Sequence, residues 1–383
     1  MERIESINVE RILWCCEDRG IAVEDLASAV GIAASTLDKV IEGERGLTFN
    51  QLRKLAKYFN RGVLFFLEPG EVDESKVRTP EFRTIANQRP DLTPELKALI
   101  ERAEQHRDLY LSLVEDLDEE DYPRFEPPEV PRNHPGRAAA MARDWLGLGE
   151  QNDFDSYRAA VEAKGILVFQ SMGYAGAWQI PKESPVAGFS IYHQDAPVIV
   201  VRKYDVKARQ SFTLMHELAH VLIHQSSFID DEEDLYSHSG RERVANAFAG
   251  RVLVPASFLR RIPLQQRPRD VTELEEWLRP FRNEWGVSAE VILRRLMDTN
   301  HLEQEVYESY RQWRAQLRPP EPMEGGSRAY RHREPRHIFG DRFVRTVLDA
   351  LHAREISLNK ASSYLDNLKV KDVHRLEEWY AGA

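Results

Sequence analysis

Residues 212–224 of the chain read FTLMHELAHVLIH. His216 and His220 stand four positions apart in an apolar run that predicts a helix, so their imidazoles project from one face about a turn apart. This spacing suits two nitrogen ligands of one zinc ion. From the next position, Glu217 can take a proton from a water at the open position of the metal and pass it to a leaving amine. The stretch therefore predicts a catalytic zinc site.

A third ligand is needed, because a catalytic zinc site has three protein ligands and one open position. The metzincin arrangement is excluded, since it would place a histidine where the chain has Ser226. His224 lies two turns along the same predicted helix, where capping the helix C-terminus is the favoured role, and His238 lies in a loop. Glu242 is the better candidate, because small alanines on its helix permit close approach to the first helix. Its alternative role is a favourable charge at a helix N-terminus.

The HELAH stretch lies in a segment, residues 136–260, that combines helices with a small sheet. Runs rich in β-branched or aromatic residues predict strands at 166–170, 186–192 and 198–202. Helices are predicted at 206–224 and 241–254, joined by the acidic loop IDDEEDLYSHSG and ended by Pro255. These elements predict an α+β domain.

Proline-rich segments flank this domain. The stretch DEEDYPRFEPPEVPRNHP, residues 118–135, excludes a helix or a central strand and predicts a semi-rigid spacer that ends a helical connector begun at residue 71. Residues 261–318 predict a helical extension. Residues 319–383 predict a basic tether, with six arginines between 327 and 345, and a C-terminal helical module. The tether is either a solvated linker or a contact surface for an acidic partner.

Residues 1–70 predict short helices joined by tight turns. Among them, residues 23–59 read VEDLASAVGIAASTLDKVIEGERGLTFNQLRKLAKYF, with Gly31 at the turn between two helices. Residues 21–67 thereby resemble an XRE-type helix-turn-helix domain. The resemblance implies a recognition helix at 34–41 that presents five residues to the major groove of DNA: Ala34, Ser35, Thr36, Asp38 and Lys39. Residues 1–70 hold nine Lys and Arg against eleven Asp and Glu, so a basic footprint is missing. A protein-interaction role is the alternative.

The central segment resembles the ImmA/IrrE family of bacterial and phage metallopeptidases. The resemblance is carried by FTLMHELAHVLIH followed by RERVANAFAGRVLVP at residues 241–255. It implies a zincin-like fold in which His216, His220 and Glu242 bind zinc and Glu217 is catalytic. Arg202 stands where the family often has an asparagine after the PVIVV-like strand, so the resemblance leaves the metal set intact but does not define the substrate cleft.

The bulk composition restricts the class of protein. A chain of 383 residues is long enough for two to four domains. Its net charge of −11 argues against a general nucleic-acid coat, and no apolar run reaches the roughly 18 residues that cross a bilayer. Cys15 and Cys16 are adjacent and cannot join distant segments, which favours a reducing cytoplasm.

Together these patterns predict a multidomain, mainly helical protein with an α+β metallopeptidase part, and three functions stay open. The first is a zinc endopeptidase, directed by its DNA-binding domain, that cleaves a repressor or partner protein. The second is a non-proteolytic regulator or antitoxin that binds operator DNA, and a toxin through residues 320–383, with the peptidase fold as sensor or scaffold. The third is self-cleavage in the spacer at 119–135. A homodimer is expected if the operator is palindromic.

Overall fold

The computed structural model describes residues 3–59, 61–73, 77–88, 92–117, 122–172, 177–204, 206–237, 240–317 and 328–382. The chain forms two compact units, Met1–Ile100 and Glu101–Ala383. It is mainly helical, with a small mixed sheet in the central region, as the sequence predicts. None of the helices in the described ranges is both long enough and apolar enough to pass through a bilayer.

Unit 1 is built from short helices around one apolar core. Its helices are α1 (Val9–Arg19), α2 (Val23–Val30), α3 (Ala34–Ile41), α4 (Phe49–Phe59) and α5 (Pro80–Gln88), with a 3₁₀ turn at Val63–Phe66. The helix α6 (Pro94–Asp116) contains the point of division between the units. Gly31 ends α2 with a φ of 63°, a conformation that glycine adopts without a Cβ penalty, and so sets the turn into α3.

Unit 1 extends past Gly70, where the sequence suggests a domain edge. Phe82 and Ile85 on α5 are fully buried. Arg78, just before that helix, forms an ion pair with Asp18 on α1. The first part of the predicted connector is therefore packed into the N-terminal unit.

Unit 2 contains the sheet and the remaining helices. In chain order they are α7 (Pro135–Leu146), α8 (Phe154–Glu162), β1 (Leu167–Ser171), β2 (Val186–Ile191), β3 (Val198–Arg202), α9 (Lys207–Ala219), β4 (Phe228–Asp231), α10 (Gly240–Leu253), α11 (Ala256–Leu259), α12 (Leu274–Trp277), α13 (Arg279–Trp285), α14 (Ala289–Asp298), α15 (Gln304–Gln316), α16 (Glu334–His352), α17 (Leu358–Tyr364) and α18 (Val370–Ala381).

The sheet has the strand order β1-β3-β2-β4. The strand β3 pairs with β1 in parallel and with β2 antiparallel, and β4 pairs with β2 antiparallel. The prediction of a loop at β4 is wrong. A strand of four residues, two of them acidic, has little hydrophobic signal of its own, and it forms because Ile229 lies opposite Phe189 and Asp230 opposite Gly188.

The HELAH helix, α9, packs with α10 on one face of the sheet. Leu214, Leu218 and Val168 of β1 belong to the core between these layers. At Gly188 on β2, a Cβ atom would lie 2.8 Å from Thr213 Cγ2 and 3.0 Å from Glu217 Oε1. The missing side chain therefore lets α9 lie directly against the sheet, and this contact fixes the depth of Glu217.

On the opposite face of the sheet α16 packs against the edge strand β1, which corrects the prediction of a basic tether. Phe339 and Phe343 on α16 are fully buried and pack around Phe169 of β1, with ring centroids 5.8 and 5.9 Å away. Phe339 also meets the buried Trp178 at 4.9 Å. The segment from Glu334 onward is thus part of the core of unit 2, because its aromatic side chains pack over β1 and against Trp178.

A buried ion pair on α8 holds this C-terminal segment in place. Arg158 donates to Glu162 Oε1 at 2.9 Å and to the carbonyl oxygens of His337 and Ile338 at 2.9 and 3.0 Å. Glu162 Oε2 accepts from the backbone N–H of Arg342 at 3.3 Å. These bonds satisfy backbone groups at a kink of α16, where Gly340 has a φ of 78°.

Replacing Gly340 by Ala is expected to destabilise the protein strongly, because the new Cβ would overlap the Glu162 carboxylate, which Arg158 holds in place. The left-handed φ and the overlap together should lower the free energy of unfolding by about 3 kcal/mol or more. Gly147→Ala is the matched control, since Gly147 has a φ of 65° but no atom within 4 Å of the position that a Cβ would take. Urea unfolding of both variants tests this, and equal losses would show that the overlap relaxes at no cost.

The proline-rich spacer is described from Tyr122 onward, and residues 118–121 of it lie outside the described residues. It has no helix or strand before Pro135, as the sequence predicts. It is nevertheless anchored: Phe125 is 7% exposed and belongs to the main core of unit 2, with Val130 packed against that core. A segment held in this way is a poor substrate for a peptidase, which counts against self-cleavage within residues 122–135.

Candidate metal centre

The HELAH helix brings its two histidines together in the interior of unit 2. His216 and His220 are fully buried, and their Nε2 atoms lie 3.1 Å apart. The helix continues past Ala219 as a π-helical turn, His220–His224, which ends at Gln225 with a φ of 48°. Such turns occur frequently at functional sites. Glu217 is also fully buried, beside the histidine pair.

Glu242 reaches the same point from the first turn of α10. Its Oε2 atom lies 3.1 Å from His216 Nε2 and 3.4 Å from His220 Nε2, and its side chain is 20% exposed. The structure therefore brings together the three ligands that the sequence predicts. The alternative His238 lies outside the described residues.

A second carboxylate, which the sequence does not predict, lies at the same point. Asp230 on β4 places Oδ2 at 3.5 Å from His216 Nε2 and 3.3 Å from His220 Nε2, and its side chain is 2% exposed. In the sequence Asp230 is one of several acidic residues in a row, and no local signal separates it from Asp231. Only the pairing of β4 with β2 selects it.

The other nitrogen of each histidine is held by a neighbouring side chain. His216 Nδ1 lies 2.9 Å from Asn246 Oδ1, and Asn246 Nδ2 donates to the carbonyl oxygens of Asp234 and Ser237. With its amide fixed by these two carbonyls, Asn246 accepts from Nδ1–H and leaves the Nε2 lone pair of His216 for a ligand. His220 Nδ1 lies 2.9 Å from His224 Nδ1. His224 thus contacts His220, rather than serving as a third ligand.

Burial and mutual charge set the protonation of this cluster. Burial opposes a charge on His216, but Asp230 and Glu242 outweigh it and raise its pKa well above the usual value. Burial acts against the ionised form of Asp230 as well, and His220 and His216 hold its pKa well below the usual range. Burial, and after it the charge of Asp230, raise the pKa of Glu217 well above its ordinary value. The cluster therefore keeps the anionic oxygens of Asp230 and Glu242 against the two imidazoles in a largely buried site.

The four donors fit a divalent metal ion. His216, His220, Asp230 and Glu242 each offer one ligand atom, and these atoms all lie within 4.8 Å of one another. Two imidazoles with carboxylates are a donor set typical of zinc. Asp230 Oδ2 and both carboxylate oxygens of Glu217 are buried without a well-formed hydrogen bond. A cation among the four donors would satisfy the Asp230 oxygen.

Two protein-family models match segments of the chain. Residues 164–297 match the IrrE N-terminal-like domain of peptidase family M78, and residues 11–62 match the Cro/C1-type helix-turn-helix DNA-binding domain. Over these two segments the chain is similar to a Cro/C1-type DNA-binding domain and to an IrrE N-terminal-like domain. The resemblance to ImmA/IrrE proteins with an XRE-type domain is thereby confirmed. Among curated proteins and among solved structures, the chain has no match.

The IrrE-like domain contains all four donors of the metal centre, and it continues to residue 297, into the predicted helical extension. The Cro/C1-type domain covers α1 to α4. On its α3, Ala34, Ser35, Asp38 and Lys39 are exposed, and Thr36 is half-buried. The five side chains that the sequence predicts to face DNA are therefore on or near the surface of unit 1.

A cavity of about 430 Å³ lies beside the metal centre of the IrrE-like domain, lined in part by Phe212 of α9 and Asn246 of α10. Its charged lining is largely paired within the protein. Arg314 lies 3.1 Å from Glu275, and Arg295 lies 3.6 Å from Asp298. Because these arginines are paired with carboxylates, the lining of the cavity is polar of both signs and does not form an anion-binding site.

Replacing Asn246 by Ala is expected to weaken metal binding by about 10- to 100-fold, because His216 would lose the acceptor that fixes its tautomer and ring orientation. The measurement is a zinc titration in competition with a chromophoric chelator. Asn359→Ala, on α17, is the control and should bind as the wild type does. Unchanged affinity in the Asn246 variant would show that this hydrogen bond does not orient the ligand.

Proposed function

We propose that the chain is a zinc-dependent endopeptidase that is directed to its target by a DNA-binding domain and acts in transcriptional regulation by cleaving a repressor or another partner protein. One observation carries this proposal: His216 Nε2, His220 Nε2 and Glu242 Oε2 converge within 3.1–3.4 Å of one another, with Glu217 on the same helix. This is the His, His, Glu set of a catalytic zinc centre with the general base adjacent. A cytoplasmic location is consistent with the free, buried thiols of Cys15 and Cys16.

The residues of the centre have distinct roles in the proposed reaction. His216, His220 and Glu242 would hold zinc, which when bound polarises a scissile carbonyl and lowers the pKa of water. Asn246 orients His216. Glu217 accepts a proton from the attacking water and delivers it to the leaving amine. Burial of these groups excludes bulk water, which strengthens each electrostatic interaction in the site.

The Cro/C1-type domain supplies the targeting. We infer that α3 enters the major groove, with Ser35, Thr36 and Lys39 among the contacting residues, because they lie on its accessible side. Net charge gives this domain little general attraction to DNA, so binding should depend strongly on the operator sequence. A gel shift with upstream DNA tests it: Lys39→Ala should weaken binding, and Lys57→Ala on α4 serves as the basic control. Equal binding by the two variants would show that α3 is not the recognition helix.

Metal analysis and mass spectrometry test the enzymatic proposal. Purified wild-type protein should bind one zinc ion per chain, and the double variant His216→Ala/His220→Ala should bind none at this site. Zinc-loaded wild type is then incubated with the products of neighbouring genes, and fragments are identified by mass. Zinc-dependent fragments that disappear with Glu217→Gln are the expected result. Wild-type protein that binds no zinc, or fragments that persist in the Glu217 variant, would overturn the proposal.

A further inference from the structure

The metal centre contains one more donor than a catalytic zinc site requires. Asp230 Oδ2 faces Nε2 of both histidines, the same nitrogen atoms that face Glu242. A residue that only orients a ligand contacts the other nitrogen, as Asn246 does on Nδ1 of His216. The carboxylate of Asp230 is therefore in the position of a ligand.

The five donor separations that involve a histidine Nε2 are close to those of a tetrahedral zinc centre, and all four donor atoms lie within 4.8 Å of one another. Zinc bonds of about 2.0–2.1 Å in tetrahedral geometry place neighbouring ligand atoms about 3.3 Å apart. The separation is 3.1 Å between the two Nε2 atoms, 3.1 and 3.4 Å from Glu242 to them, and 3.5 and 3.3 Å from Asp230. A catalytic centre leaves one of these four positions to water or substrate, and a structural centre fills all four with protein.

The position of Asp230 is determined by the fold. The strand β4 pairs with β2 so that Asp230 lies opposite Gly188, directly over the HELAH helix. A shift of one residue would turn Asp231 toward the histidines and Asp230 away, so the register specifies which carboxylate enters the centre. Within the described parts of the chain, no Lys or Arg forms an ion pair with Asp230, and its charge is met by the two histidines.

We propose that Asp230 is a fourth protein ligand that closes the metal centre in the resting protein, so that cleavage requires Asp230 to withdraw. The inference rests on the proposed zinc site. A partner that displaces Asp230 from the two histidines would open one coordination position.

The test compares the full-length wild type with Asp230→Ala and with Asp231→Ala, the neighbouring carboxylate on the same strand, after loading with Co²⁺ as a spectroscopic substitute for zinc. Acetohydroxamate, which binds only where a coordination position is free, is added, and the visible absorption of Co²⁺ is followed. The spectrum of Asp230→Ala should change at acetohydroxamate concentrations at least tenfold lower than those needed by the wild type and by Asp231→Ala. Zinc affinity, measured by chelator competition, should fall at least tenfold in Asp230→Ala but not in Asp231→Ala. Asp230→Asn, which keeps the shape of the side chain, guards against misfolding and should behave as Asp230→Ala does.

The outcomes separate this inference from the proposed function. If the wild type binds one zinc ion and responds to acetohydroxamate as readily as Asp230→Ala, Asp230 is not a ligand and the centre is open, while the proposed endopeptidase stands. If Asp230→Ala binds zinc as tightly as the wild type and shows the same Co²⁺ spectrum, the inference is likewise overturned. A wild type that binds no metal overturns the proposed function together with the inference.

Discussion

Replacing Glu217 by Gln is expected to lower the rate of peptide-bond cleavage by at least about 100-fold while one zinc ion stays bound, because a general base contributes about 10²–10⁴ to the rate. Glu217 lies on the HELAH helix beside the four donors but is not one of them. The amide keeps the size of the side chain and removes its ability to accept a proton. Cleavage is measured at saturating zinc in the wild type and in the Asp230→Ala background, so that a closed centre does not mask the effect.

Glu242→Gln provides the contrast. Glu242 contributes Oε2 to the donor cluster at 3.1 Å from His216 Nε2. Its substitution should therefore lower zinc affinity and cleavage together, whereas Glu217→Gln should lower cleavage alone. If both variants lose zinc, Glu217 supports the metal centre rather than the proton transfer, and the assigned base would have to be sought elsewhere in the site.

The parts of this site that the sequence predicts are the parts that depend on local geometry. The spacing of His216 and His220 on one helix fixes a shared face without reference to the rest of the fold. Glu242 follows from a second helix whose small residues permit close approach. Asp230 depends on the pairing of β4 with a strand some forty residues earlier in the chain, and no local pattern encodes that register.

The same distinction explains the two segments that the sequence assigns to linkers. In the first segment, the prolines correctly exclude a helix over the described residues 122–134. Residues 318–327 of the second segment lie outside the described residues. What the prolines do not reveal is that Phe125, beside them, is an anchor in the core, or that Phe339 and Phe343 after the second segment pack over β1. Arginines at 336 and 342, interpreted as a basic tether, instead bond to Asp341 and to the Tyr110 hydroxyl within unit 2.

Truncation after Leu317 is expected to unfold unit 2 or to leave it aggregated, because it removes the helix that packs over β1. Removing one buried Phe side chain typically costs about 3–5 kcal/mol, and Phe339 and Phe343 are both fully buried. The free energy of unfolding of a domain is about 5–15 kcal/mol, so the loss of both rings alone would remove a large part of it. Truncation would also uncover Phe169 and Trp178 and leave Arg158 without the His337 and Ile338 carbonyls.

The full-length variant Phe339→Ala separates this packing role from a role in partner binding. It should lower the thermal unfolding temperature by many degrees, whereas Tyr330→Ala, at a side chain that is 59% exposed, should leave it nearly unchanged. Thermal unfolding followed by circular dichroism gives the comparison, together with zinc stoichiometry, since β1 lies in the sheet that supports the metal centre.

A truncated chain that kept the unfolding temperature and zinc content of the wild type would show that residues 318–383 are dispensable for the fold. Only in that case would loss of a toxin or repressor on truncation identify the C-terminal helices as its docking site, because otherwise partner binding is lost with the domain itself.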